Sequence, residues 1–147
     1  MQLDDFVLYL DENLHNCKPI LNALEEKNIR FERHGTYFEP GTADEVWLRY
    51  VGERAWAVLT KDKRNRFNQW ERTAVLTMRI REFYFGSGNF SGAEMAETLK
   101  KALPKMQQIC SEQKPPFVAN ISRGGHVTVL FDEHGSTHLR RQARKRK

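Results

Sequence analysis

The chain has few of the features that settle chemistry by motif alone. Its two cysteines, Cys17 and Cys110, stand far apart and outside any CxxC pair, so metal and redox spacings are missing and both are expected as buried free thiols. No stretch approaches the roughly 18 consecutive apolar residues of a membrane-spanning helix, and no membrane association is expected. Met1–Asp5 lacks the basic region and apolar run of a secretory signal, which points to the cytoplasm. There is no internal repeat. A length of 147 residues builds one core and is short for two, so we expect one domain over residues 1–133 followed by a basic tail over 134–147. Apolar residues at 39% and charged residues at 29% describe a soluble globular protein rather than a disordered or fibrous one.

The net charge of +5 suggests a nucleic-acid partner until it is located along the chain. Arg140, Arg141, Arg144, Lys145, Arg146 and Lys147 lie in the tail, which leaves 18 basic against 19 acidic residues elsewhere. Residues 1–60 hold 11 acids and 6 bases, whereas residues 61–81 hold 7 bases and 2 acids. An acidic first half beside a basic middle suits a site that holds a metal and attracts a phosphate backbone. The tail itself reads as a nucleic-acid anchor or as a solubilising end.

Phe6–Leu10, FVLYL, is a continuous apolar run and reads as a strand buried on both faces. Asn16–Lys27 reads as an amphipathic helix, with Pro19 near its start and Ile20, Leu21 and Leu24 on one side. Ile29–Arg33 is a short strand, and His34–Gly41 a loop. Thr42 followed by Glu45 matches a capping box that opens a helix carrying Val46, Trp47, Tyr50 and Val51. Ala55–Thr60 is the next buried strand, Asn68–Met78 a helix, and Glu82–Phe85 a strand. Gly86–Ser91 is a glycine-rich loop, and Gly92–Gln113 a helix with an irregularity expected at Pro104. Phe117–Ile121 and Val127–Phe131 form a closing hairpin. This alternation predicts right-handed crossovers in an α/β fold: a mostly parallel central sheet, helices on both faces and a C-terminal β-hairpin.

Sites in open parallel sheets form beyond the carboxyl ends of the strands. Asp11 and Asp62 sit at two such ends, and Asp44 falls in the first helical turn between them, where the helix dipole favours an ionised carboxylate. The mutual repulsion of three acids at one edge is relieved by a cation, and Mg²⁺ or Mn²⁺ suits oxygen ligands. Each acid also has a plainer role: Asp11 as a turn residue, Asp44 as a helix-start stabiliser, and Asp62 as a surface ion pair with Lys61 or Lys63. Lys61, Lys63, Arg64 and Arg66 are a basic run beside Asp62 and read as phosphate contacts or as a solvated loop. Trp47 and Trp70 read as core rather than base-stacking platforms. His134 and His138 have i, i+4 spacing but lie next to Gly135, which speaks against a helical metal pair.

The segments LYLDEN at 8–13, GTADEVW at 41–47 and VLTKDK at 58–63 resemble the signature segments of the PIN-like superfamily, in its compact branch related to VapC-type toxins. A looser likeness runs through RFNQWERTAV at 66–75 and SGNFSGAEM at 87–95, and the whole covers residues 6 to about 131. The resemblance implies a single three-layer domain and a metal-dependent endoribonuclease, with Asp11, Asp44 and Asp62 as metal ligands. It further implies RNA as substrate, a homodimer, and the toxin role of a toxin–antitoxin pair with an antitoxin protein as partner. Many relatives carry another acid shortly after the position of Asp62, where this chain has Lys63, Arg64, Asn65 and Arg66. Glu71 is the candidate for that fourth carboxylate, with Glu12 and Glu45 behind it.

Overall fold

A computed structural model describes residues 5–61, 69–86 and 90–136, the side chains at 69–72 and 136 excepted. The elements are β1 (Val7–Leu10), α1 (Lys18–Glu26), β2 (Arg30–Arg33), α2 (His34–Tyr37), α3 (Asp44–Glu53) and β3 (Ala57–Thr60), followed by α4 (Gln69–Thr77), β4 (Arg81–Phe85), α5 (Gly92–Glu112), β5 (Phe117–Ile121), β6 (Val127–Asp132) and β7 (Gly135–Ser136). Every residue of β1, β3 and β4 is buried, as expected for strands sandwiched between helices. The polar RFER of β2 takes the sheet edge instead.

The strands are ordered β2-β1-β3-β4-β5-β6-β7. The pairings from β2 to β5 are parallel. Those of β6 with β5 and β7 are antiparallel, the first with a register shift at Val118/Ala119. β7 continues the sheet into the stretch that the sequence assigns to the tail. Alternation along the strands divides the core in two. Leu8, Leu10, Leu59, Phe83, Phe85 and Phe117 pack under α1 and α5. Tyr9, Val58, Tyr84 and Val118 pack under α3 and α4, beside Trp47, Leu48, Val51 and Val75. The fold is therefore the expected three-layer α/β arrangement with a closing hairpin.

Several local expectations give way. From β3 to β5 the chain steps in one direction across the sheet, yet α4 covers one face and α5 the other. The crossover through α5 thus has the opposite hand to the one through α4, against the rule that all should be right-handed. The apolar stripe of α5 (Met95, Leu99, Leu103, Met106) gives the reason, because α1 alone would leave the face under β3–β5 uncovered. α5 continues as helix through Pro104, whose ring nitrogen has no N–H to donate back along the helix. Part of the expected loop after β2 is the single turn of α2. The capping box at Thr42 and Glu45 does not form: α3 begins at Asp44, and the Thr42 hydroxyl donates to the Glu39 carbonyl at 2.6 Å. A capping box forms instead at α5, where Ser91 and Glu94 bond each other's backbone N–H. Cys110 is buried as expected, whereas Cys17 is only half-buried.

Three helices end alike. Asn28, Ala55 and Arg79, with φ of 55°, 57° and 55°, follow α1, α3 and α4 in the left-handed region. In each, the next residue's N–H returns to the last turn of the helix, as in Ile29 to Leu24, Trp56 to Val51 and Ile80 to Val75. The strand then starts two residues after the left-handed one, at Arg30, Ala57 and Arg81. These turns set the N-terminal edge of the sheet in register.

Candidate functional site

The chain leaves β1 for β2 on one side and later crosses back to β3 on the other, so the order in which strands are added reverses between β1 and β3. A crevice opens at the carboxyl end of such a switch point. Asp11 stands there, 5% exposed, directly after β1. Its backbone N–H donates to Leu59 O of β3 at 3.4 Å, and its carbonyl accepts from Leu14 and His15 at 3.0 and 2.9 Å. Oδ1 accepts the Asn13 N–H at 3.1 Å, so the turn that Asp11 begins also holds its carboxylate. Lys61 directly follows β3 and is exposed.

Asp44 occupies the first turn of α3 and is exposed. Its Oδ1 accepts the indole N–H of Trp47 at 2.9 Å, one turn on. Trp47 stacks on Tyr9 with ring centroids 5.6 Å apart, and Tyr9 lies two residues before Asp11 on the same face of β1. A second tie joins the segments: Glu12 Oε1 accepts the N–H of Gly41 at 2.9 Å, and Gly41 has φ of +78°. That left-handed conformation suits glycine and turns the chain toward α3. Glu12 is thereby committed to the loop, and Glu45 is exposed in the first turn of α3.

The sequence offers no warning of His34, yet it follows β2 at the same carboxyl edge that singles out Asp11. It is 1% exposed and packs against Tyr9, Phe38 and Trp47. Burial raises the Tyr9 phenol well above its ordinary range, and the charges of Asp11 and Glu12 add to the effect. Tyr9 thus keeps its proton, and its hydroxyl shares a hydrogen bond of 2.5 Å with His34 Nδ1. Burial lowers the His34 pKa, opposed by Glu12 and Asp44 and assisted by His15. The other ring nitrogen of His34, Nε2, is buried without a hydrogen-bond partner among the described residues. A cavity of about 420 Å³ adjoins it, lined by Glu12, His15, His34, Tyr37, Phe38 and Glu39. Gly35 brings its N–H to 2.9 Å from His15 Nδ1, and an added Cβ would stand only 2.8 Å from that atom.

A pH dependence follows. The unfolded chain protonates His34 near the ordinary histidine value of about 6.5, while the folded protein does so only at lower pH. Stability is therefore full above about 6.5 and falls as pH drops toward the folded value, by at most about 1.4 kcal/mol per unit. His34→Gln, which can still hydrogen-bond Tyr9, should flatten the decline between about pH 7 and 5 in thermal melts. Equal slopes in variant and wild type would remove His34 as the cause.

Asp62, Arg64 and Arg66 lie outside the described residues, as does His138. Glu71 falls on α4, its side chain outside the described part, and so does that of Trp70. Among the described residues no three His, Cys, Asp or Glu side chains group in a way that could hold a metal ion. His134 is in the β6–β7 turn rather than on a helix, and Trp47 is core as expected, 5% exposed. Among the described residues no helix is long and apolar enough to cross a membrane.

Comparison with curated proteins and with solved structures gave no match. The sequence model of the PIN-like domain family matches residues 7–87, from β1 to just past β4. That span exceeds half of the chain and contains Asp11 and Asp44: the protein belongs to the family of PIN-like domains.

Proposed function

We propose that this protein is a Mg²⁺- or Mn²⁺-dependent endoribonuclease that hydrolyses RNA phosphodiesters, and that it acts as the toxin of a VapC-like toxin–antitoxin pair, as a homodimer with an antitoxin protein as its partner. The observation that carries the reading is Asp11, a carboxylate 5% exposed at the switch point of a PIN-like chain. The donor set fits a hard cation, because Asp11, Asp44 and Asp62 offer oxygens alone. A bound Mg²⁺ or Mn²⁺ would supply a water of lowered pKa and offset the charge of the phosphoryl group. Asn13 holds the Asp11 carboxylate, and Trp47 holds that of Asp44. Lys61, with Arg64 and Arg66 after it in sequence, would draw the phosphate backbone to the crevice, and Glu71 is the fourth carboxylate of the reading.

Purified protein incubated with labelled RNA and DNA, with Mn²⁺ or with EDTA, tests this. Metal-dependent cleavage of RNA is the expected result, and intact RNA under all conditions would defeat it. A second reading is a module that keeps the fold without the chemistry and binds RNA or a protein. The basic residues Lys63, Arg64 and Arg66, where relatives carry an acid, favour it. Mn²⁺ should then leave the melting temperature unchanged, whereas a competent site gains stability from the metal.

A further inference from the structure

The N-terminal edge of the sheet, opposite Asp11, holds a second cavity of about 470 Å³, walled by Asp5, Arg30, Arg54, Trp56 and Arg81. Arg30 opens β2, Arg81 opens β4, and Arg54 and Trp56 immediately precede β3. The three like turns after α1, α3 and α4 bring these positions to one edge.

Arg81 is the member that lacks an explanation in the fold. It is 8% exposed, and its Nε is buried without a hydrogen-bond partner among the described residues. A guanidinium stays protonated in proteins, so its burial is costly unless an anion and acceptors complete it. Its neighbour Cys110 supplies none, since burial pushes that thiol up to about 12 and keeps it neutral. Among the described residues, Asp5 is the carboxylate on the cavity wall, beside the cations Arg54 and Arg81. Arg54 is held flat, its guanidinium 3.2 Å from the Tyr50 ring centroid and donating to the Tyr50 carbonyl at 3.0 Å. The volume lies within the roughly 300–1,000 Å³ of small-molecule sites and exceeds what a phosphate alone fills.

We propose that this cavity binds the phosphate group of a nucleotide-sized ligand, with Arg54 and Arg81 as its donors and Trp56 as an apolar wall for the remainder. Planar guanidinium forks match phosphate oxygens two at a time, which suits this group better than a point charge would. The length of β1 puts the cavity about 13 Å from Asp11, so occupancy and cleavage can be read separately.

Thermal melts of the full chain at constant ionic strength, with 5′-AMP, inorganic phosphate or adenosine, make the test. AMP should raise the melting temperature saturably by about 2 °C or more, phosphate should do so at higher concentration, and adenosine should not. Arg81→Met replaces a buried cation with an apolar chain of similar length, so the fold should persist while the rise disappears. Arg54→Ala, at an exposed position, should reduce the rise, and Asp11→Asn should leave it intact. No rise with AMP or phosphate, or an equal rise in Arg81→Met, would overturn the proposal. A rise with phosphate as large as that with AMP at each concentration would overturn the nucleotide-sized ligand. A rise with single-stranded RNA but not with AMP would show a nucleic-acid surface in place of a small-ligand site.

Discussion

Asp11→Asn is expected to lower Mn²⁺-dependent RNA cleavage by about 100-fold or more, equivalent to about 2.7 kcal/mol of transition-state stabilisation, while leaving the fold intact. The substitution is nearly isosteric. The amide oxygen can still accept the Asn13 N–H that Asp11 Oδ1 takes at 3.1 Å, and the backbone bonds to Leu59, Leu14 and His15 are untouched. What disappears is the negative charge. At a position 5% exposed, that charge is the feature a hard cation would use. The gain in melting temperature on adding Mn²⁺ should therefore shrink. Glu12→Gln is the internal comparison, because Glu12 already accepts the Gly41 N–H and a glutamine oxygen can do the same. It should retain most of the activity. If Asp11→Asn cut RNA at the wild-type rate, Asp11 would have no part in the chemistry.

The buried strands were legible because burial on both faces leaves a simple trace: FVLYL, AWAVLT and REFYF are apolar runs interrupted by few charges. The position of Asp11 followed, since a strand end is where a parallel sheet exposes its crevice. Features that depend on packing between distant segments left no such trace. His34 sits in the polar stretch HGTY and reads as loop, and only Tyr9, Phe38 and Trp47 closing around it make it core. Thr42 and Glu45 have capping-box spacing, but the Glu39 carbonyl competes for the hydroxyl and the helix starts at Asp44. Spacing records what a side chain can do, whereas the loop before it decides which acceptor is nearer. The hand of the α5 crossover is likewise set by the uncovered sheet face. The arginine cavity is set by three left-handed turns that no glycine marks.

Trp47 belongs to the core and also bonds the Asp44 carboxylate, and two substitutions separate these roles. Trp47→Ala removes a side chain 5% exposed that stacks on Tyr9 at 5.6 Å and meets His34 edge-on at 5.9 Å. A loss of about 3–5 kcal/mol is expected, or about 10 °C in melting temperature, and activity should fall with it. Trp47→Phe keeps an aromatic ring against Tyr9 but removes the N–H that Asp44 Oδ1 accepts at 2.9 Å. Because Asp44 is exposed and water can replace the lost bond, the stability change from that bond should be near about 1 kcal/mol. Its carboxylate, however, is no longer held relative to Asp11. Cleavage should therefore fall by about tenfold, and raising the Mn²⁺ concentration should recover part of the loss, because a mispositioned ligand weakens metal affinity before it abolishes the reaction. Wild-type cleavage by Trp47→Phe would show that the indole serves the core alone and that Asp44 needs no such support. A large loss of activity with little loss of stability would establish the indole as the positioning residue for Asp44.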